Sequence, residues 1–433
     1  MSKFIHAEEI YEDLLIQKGG ISSHNIKILK NVISYWFLFL QNFIDEEGKD
    51  NLSKLSEIIK ETPDNSLPYS VNSYFSGKNN ILNINSRKKR TYRIPFFILK
   101  ILMLIRGYKL VLDKTSLRGG WRLSSYCMAL LNRSDLLVVD MQLKHDFIED
   151  LNIRNNFEPD IQKFIEENLP DLLFIKPIRN KKLIKSIEVH SSADMFLNAR
   201  SPIKLLFITK NLRLIGYQHG INYGQWNKNL YQESEVKVSD EFHLWFPHKP
   251  NFIGRFDVNP SLNTSNQTRI LWVGRINLHS FYKKMLPYAY EHKMDNSHLE
   301  IIDNSFHCLD NFSFYKPGRV ESVWLPDKSI VVRDGPIENY INLDRDVLLF
   351  DNISETTIFL ALKYRVPFLI ILKNKKIKGL TSKYEEFLEI LNSNNFLYNI
   401  DEINEAKKLL LDISISRDLY KEKKSLINSL IVK

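Results

Sequence analysis

DVLLFDNISETTIFLALKYRVPFLIIL, residues 346–372, carries the pattern from which the fold class follows. An apolar run of strand length ends at Asp351. A polar loop then holds Ser354, Glu355, Thr356 and Thr357, a helix-length segment follows, and Val366 opens a second apolar run. Two short apolar strands joined by a helix read as a parallel pair, because parallel neighbours need a long crossover. Neither run alternates with polar residues, so both faces of the sheet are expected to be covered.

The pattern repeats on either side. RILWVGR (269–275), HLEIID (298–303) and SIVVRDG (329–335) are further expected strands of the same series. An earlier series comprises YKLVLD (108–113), DLLVVDM (135–141), DLLFIKP (171–177) and LRLIGYQHG (212–220). With 433 residues the chain exceeds one core, since single cores stop growing near roughly 250–300 residues. The expected fold class is therefore α/β, with two Rossmann-like, doubly wound domains facing a central cleft. Ligands would sit at the carboxyl ends of the strands.

Residues 1–66 read as a helical N-terminal extension, apolar at helical spacing from Ile26 to Phe43. Residues 67–256 read as the first Rossmann-like domain and 269–400 as the second, with the polar stretch Asp257 to Thr268 as linker. Residues 401–433 are charged and helical and are expected to pack back across the first domain.

Hydrophobic residues make up 44% of the chain and charged residues 26%, which suits a globular interior and excludes global disorder. The formal charge of +9 suggests an anionic partner. No recognisable nucleic-acid module and no tract of interleaved basic and aromatic residues accompanies it, so nucleic acid is not the expected partner. Cys127 and Cys308 lie too far apart to suggest a disulfide framework or a zinc site.

The acidic start MSKFIHAEEIYEDLL is unlike a signal peptide, and a cytoplasmic location is expected. The apolar stretches Val32 to Ile44 and Ile94 to Ile105 fall short of the roughly 20 residues a membrane span needs and read as buried helices. The basic tract Arg87-Lys88-Lys89-Arg90 reads first as a solvated charge run. Its second reading is peripheral contact with anionic lipid on the inner face of the membrane.

Three segments carry chemistry. In IGYQHGINYG (215–224) a strand end runs into His219 and Gly220, placing an imidazole at the expected cleft. Such a group titrates near pH ~6.5, so it can take a proton from a hydroxyl or hold a phosphate as a cation. A structural histidine in a tight turn is the alternative. In DNISETT (351–357), Ser354 at a helix N-cap with Thr357 three residues on would offer hydroxyls and free N–H groups to phosphate. Plain N-capping explains the same residues without a ligand. In WVGR (272–275), Arg275 can grip a diphosphate bidentately, and Gly274 lets the backbone approach closely. An ordinary surface arginine is the alternative there.

At these residues a likeness emerges. IGYQHGINYG followed by KVSDEFHLWFP (237–247) resembles a bacterial family of surface-polysaccharide transferases with a QHGGNYG-type motif. Gln218, His219, Gly220, Asn222, Tyr223 and Gly224 match it, as do Asp240, Phe242 and Trp245. HSSADMFLNA (190–199) is similar to the family's segment upstream. Asp351, Ser354, Thr356 and Thr357 resemble its later hydroxyl loop. Ile221 replaces the family's second glycine, and Phe246 stands where a Gly-Trp pair is often nearby. A more distant likeness is to capsule and teichoic-acid transferases that use cytidine-nucleotide donors.

The resemblance implies a GT-B glycosyltransferase that needs neither metal nor cofactor. It would move a sugar from a nucleotide-sugar donor, such as a CMP-linked acidic sugar, to a glycan or glycolipid acceptor of the cell surface. Arg275, Gly274, Asp351, Ser354, Glu355, Thr356 and Thr357 form the expected donor-nucleotide set. His219 is the expected base or phosphate contact, and Asp240 a second candidate base whose other reading is a turn or cap. Gln218, Gly220, Asn222, Tyr223 and Gly224 belong to the motif on the acceptor side. A phosphotransferase using a CDP-polyol, a sugar-nucleotide epimerase and a non-catalytic assembly protein remain as alternatives.

Overall fold

The computed structural model describes residues 4, 6–61, 67, 70–71, 74, 109–113, 138–176, 184–191, 203, 206–207, 209–218, 223–244, 268–274, 295–317, 329–332, 337, 340–353 and 356–432. The chain forms two compact units. The first takes Met1–Tyr217 and Tyr231–His243, and the second takes Gln218–Leu230 and Leu244–Lys433. The change of unit at Leu244 falls ahead of the expected linker, of which only Thr268 lies among the described residues.

In the first unit the expected N-terminal helices are α1 (Ala7–Lys18), α2 (Ser23–Glu47) and α3 (Leu52–Glu61). Along α2, Ile26, Leu29, Val32, Ile33, Trp36, Phe37, Leu40 and Phe43 are all buried, three or four residues apart, as a helix facing a core requires. Ser22 starts the helix by accepting from the Asn25 N–H at 3.2 Å. Gly48 ends it at φ 81°, a conformation a side chain resists.

Among the described residues no helix is long and apolar enough to cross a membrane. The Ile94 to Ile105 run and the Arg87 to Arg90 tract lie outside them. Helices α4 (Met141–Asn155) and α5 (Pro159–Asn168) follow. Tyr11 of α1 meets Phe147 and Phe174 edge-on at 5.7 and 5.6 Å. Its hydroxyl donates to the Leu173 carbonyl.

The first unit's described strands are β1 (Lys109–Asp113), β2 (Val138–Val139), β3 (Ile175–Lys176), β4 (Ile184–Ser191), β5 (Thr209–Tyr217) and β6 (Glu241–His243), with helix α6 (Leu230–Val238) before β6. β1, β4, β5 and β6 form a parallel sheet in that order. DLLVVDM and DLLFIKP were expected in that sheet. Their strands β2 and β3 instead pair antiparallel with each other, over two residues each. An inner place goes to β4, IKSIEVHS, whose Lys185, Glu188 and His190 disguise it in an apolar scan.

The second unit holds β7 (Ile270–Val273), β8 (Phe312–Pro317), β9 (Ser329–Val332), β10 (Val347–Phe350), β11 (Phe368–Leu372) and β12 (Leu397–Asn399). All pair in parallel, in the order β12-β11-β10-β7-β8-β9. Counted from β7, this is the 3-2-1-4-5-6 order of the doubly wound Rossmann fold. The helices are α7 (Asn296–Phe306), α8 (Thr356–Tyr364), α9 (Ser382–Ser393), α10 (Ile403–Ile415) and α11 (Arg417–Val432).

Ile270, Trp272, Val347, Leu349, Leu369 and Ile371 face Ile403, Ala406, Leu410, Ile413 and Tyr420 in one buried cluster. The alternate residues Leu271, Val273, Leu348, Phe350, Phe368 and Ile370 are equally buried, as expected for a sheet covered on both sides. The C-terminal helices, expected to lie across the first domain, instead complete this core.

HLEIID, expected as a strand, lies within α7. Its apolar residues Leu299 and Ile302 continue to Phe306 at helical spacing, with Ile302 and Phe306 fully buried. Asp295 starts the helix by accepting from the His298 N–H at 3.2 Å and from the Ser297 hydroxyl at 2.6 Å. The Ser297 and His298 contacts hold its carboxyl well below the usual carboxylate range. A depressed folded pKa means the cap's contribution is present above the unfolded value and fades as pH falls through the folded one. Asp295→Ala is expected to cost about 1 kcal/mol at neutral pH, read from the urea midpoint.

Candidate functional site

In the second unit the order of strands reverses between β7 and β10. β8 and β9 step away on one side, β11 and β12 on the other. A doubly wound sheet binds ligands outside the carboxyl ends of its strands at such a reversal, because the crossover helices diverge there and leave a crevice. Val273 pairs with Phe350, so Gly274 and Asp351 emerge side by side at this point. These are two of the residues singled out from the sequence, on two different motifs.

Asp351 is buried and fully engaged. Its Oδ2 accepts from the Trp272 indole N–H at 3.1 Å and its Oδ1 from the Asn352 amide at 2.7 Å. The carboxylate thus ties the end of β10 to β7. Gly274 has a packing reason of its own, since a Cβ there would lie 2.2 Å from Cε2 of the Phe314 ring. Asn352 and Ile353 are buried beside Asp351, and Thr357 is buried in the first turn of α8. Among the described residues that helix begins at Thr356. Arg275, Ser354 and Glu355 lie outside the described residues.

The second motif reaches the same place by an unexpected route. After β5 the chain leaves the first unit, spends Gln218–Leu230 in the second, and returns at Tyr231. Gln218 and Tyr223 are buried, and Gly224 takes φ 73°, which explains a glycine there. His219, Gly220, Ile221 and Asn222 lie outside the described residues.

From Gly224 onward the segment is strapped to the turn before α9. The Gly224 carbonyl accepts from the Thr381 hydroxyl at 2.8 Å, and the Gln225 carbonyl accepts from the Thr381 N–H at 2.9 Å. Trp226 bridges Leu380 in antiparallel fashion. Asn227 donates its N–H to the Gly379 carbonyl at 2.8 Å and its side-chain amide to the Leu380 carbonyl at 2.6 Å. Gln225 then reaches inward, with Nε2 3.4 Å from the Ile353 carbonyl and 3.0 Å from the Tyr384 hydroxyl. Tyr384 donates to the same Ile353 carbonyl at 3.0 Å.

The residue that follows IGYQHGINYG is therefore joined to the DNISETT motif one residue ahead of Ser354. Gln225, Thr381 and Tyr384 were missed in the sequence, although Gln225 directly follows the motif.

Asp240 lies in the first unit with a structural task. Its N–H donates to the Leu214 carbonyl at 2.8 Å, and its Oδ2 accepts from the Leu214 N–H at 2.7 Å. It extends the β5–β6 ladder by one rung ahead of β6. Its Oδ1 lies 3.4 Å from His24 Nε2.

A surface hollow lined by Thr268, Cys308, Asn311, Arg345, Ser414 and Arg417 sits beside the amino ends of β7, β8 and β10, the pole opposite the reversal. Its place in the sheet sets it apart from the crevice. Among the described residues no three His, Cys, Asp or Glu side chains gather as metal ligands would.

Comparison with curated proteins gives no match. Among solved structures, the chain is similar to one described as the glycotransferase of kitacinnamycin, at 11% identity and a TM-score of 0.28, over 79% of this chain and 93% of that one. A score that low carries no argument about function. Residues 28–316 match the model of the family described as "LIC12162 family transferase". The match takes in Gln218–Gly224 and ends before Asp351. By that match over more than half its length, the chain belongs to the LIC12162 family of transferases.

Proposed function

We propose that this transferase moves a glycosyl group from a nucleotide-activated donor to a glycan or glycolipid acceptor, as a GT-B enzyme with the donor held by the second unit. One observation carries the reading: the reversal of the Rossmann-ordered sheet falls between the two strands that lead into Gly274-Arg275 and Asp351–Thr357. In the sequence an arginine follows one of these strand ends, and hydroxyl residues and a helix start follow the other, a set of groups suited to phosphate.

In the proposed reaction an acceptor hydroxyl oxygen bonds to the anomeric carbon as the carbon–oxygen bond to phosphate breaks. Negative charge grows on the leaving phosphate, where Arg275, Ser354, Thr356 and Thr357 would offset it. His219 would take the acceptor proton or, as a cation, hold that phosphate. A surface polysaccharide as product, a cytidine donor and independence of metal extend the proposal through the sequence resemblance alone, and contact with the inner face of the membrane through the basic tract Arg87-Lys88-Lys89-Arg90.

A thermal-shift series with CMP, CDP, UDP, GDP and dTDP tests it on the wild type, Arg275→Ala and Ser354→Ala. One nucleotide should raise the wild-type transition, by about 2.7 kcal/mol of stabilisation at a hundredfold excess over Kd, and both variants should lose the effect. A wild type that none of the five stabilises would count against a donor site. Product analysis on the responding nucleotide's sugar or polyol derivatives then separates glycosyl from polyol-phosphate transfer.

A further inference from the structure

We infer that Gln225 and Tyr384 are positioning residues for the donor site, acting by fixing the Ile353 carbonyl where the chain leaves β10. The inference rests on the donor-site reading above and adds which residues prepare that site.

The two side chains converge on one acceptor, the Ile353 carbonyl, at 3.4 and 3.0 Å. Fixing this carbonyl fixes the peptide plane that leads into the hydroxyl segment, since a peptide unit turns as a rigid whole. The two donors are themselves linked, because Gln225 Nε2 donates to the Tyr384 oxygen at 3.0 Å. Only the nitrogen end of the glutamine amide suits this position, as the Ile353 oxygen accepts and cannot donate. Burial pushes the Tyr384 phenol far above its ordinary range, so the hydroxyl keeps its proton and remains a donor.

Gln225 is a poor choice for stability alone. It is fully buried, and its Oε1 has no hydrogen-bond partner among the described residues. A buried amide oxygen left unsatisfied works against folding, and an apolar side chain of similar size would avoid that cost. What the glutamine supplies in return is the aim of Nε2 at Ile353. Its backbone is locked independently by Thr381, whose N–H and hydroxyl hold the carbonyls of Gln225 and Gly224. The strap is thus fixed to the turn before α9 whether or not the amide reaches inward, so the amide can be altered without releasing the strap.

The test compares Tyr384→Phe and Gln225→Leu with Tyr11→Phe. Tyr11 is an equally buried tyrosine of the first unit whose hydroxyl also donates to a backbone carbonyl, that of Leu173. Affinity for whichever of CMP, CDP, UDP, GDP and dTDP binds the wild type is read by calorimetry, and the transition temperature of each ligand-free protein by heating. Tyr384→Phe and Gln225→Leu should each weaken binding roughly tenfold, the scale of one hydrogen bond to a preorganised group. Tyr11→Phe should lower the transition temperature comparably while leaving affinity within about twofold of the wild type.

If Tyr384→Phe binds as tightly as the wild type, or if Tyr11→Phe loses affinity to the same extent, the positioning role is overturned while the donor site stands. A wild type that binds none of the five overturns both together.

Discussion

His219→Ala is expected to lower the rate of transfer by about 10²–10⁴-fold, the usual worth of a positioned acid or base, with the folded state intact. The pH profile tells which task the imidazole performs. As a base it must be neutral, so the wild-type rate falls as pH drops through the imidazole's titration. As a phosphate-holding cation it must be protonated, so the rate falls as pH rises through the same region. The two tasks also part in binding: loss of a base leaves nucleotide affinity unchanged, whereas loss of a phosphate contact weakens it. A variant that transfers at the wild-type rate would remove His219 from the mechanism.

The largest effect on stability is expected at Trp272. The residue is fully buried, with its ring 4.9 Å from Phe314 and its N–H on Asp351. Trp272→Ala removes a large side chain from the middle of the second unit's core and should cost about 3–5 kcal/mol. Trp272→Phe keeps most of the ring contact but withdraws the hydrogen bond from a buried carboxylate. It should cost about 1–3 kcal/mol. Urea midpoints at constant slope measure both. A Trp272→Ala protein within 1 kcal/mol of the wild type on the same scale would mean that the core around β7 and β10 is far looser than its packing implies.

The second unit was the more legible half. Its strands β7, β10 and β11 are short apolar runs buried on both faces of the sheet, so burial itself wrote them into the sequence. HLEIID misled because six residues are too few to separate a period of two from one of 3.6, and the deciding Phe306 stood outside the window. In the first unit β4 was hidden by its charged residues, while DLLVVDM and DLLFIKP were apolar enough to pass as sheet strands. At the site, Gly274 and Asp351 were each singled out at a strand end, but that the two strands are neighbours is known only from the finished sheet. The strap was not. No periodicity announces that residues 223–227 fold onto Gly379–Thr381, since hydrogen bonds between irregular segments depend on the finished backbone.

That strap imposes an order on folding. Gln225 and Tyr384 are 159 residues apart in the chain, and Gly224 and Thr381 are 157 apart. Joining such distant points spends chain entropy before any contact rewards it, whereas β10, α8 and β11 assemble from neighbours in sequence. During synthesis the glutamine emerges long before its partners exist and must wait for the sheet to form. These bonds are therefore expected to close after the local elements have formed. A slowed or weakened final docking would leave a protein that is folded by most spectroscopic measures yet not ready to hold a ligand.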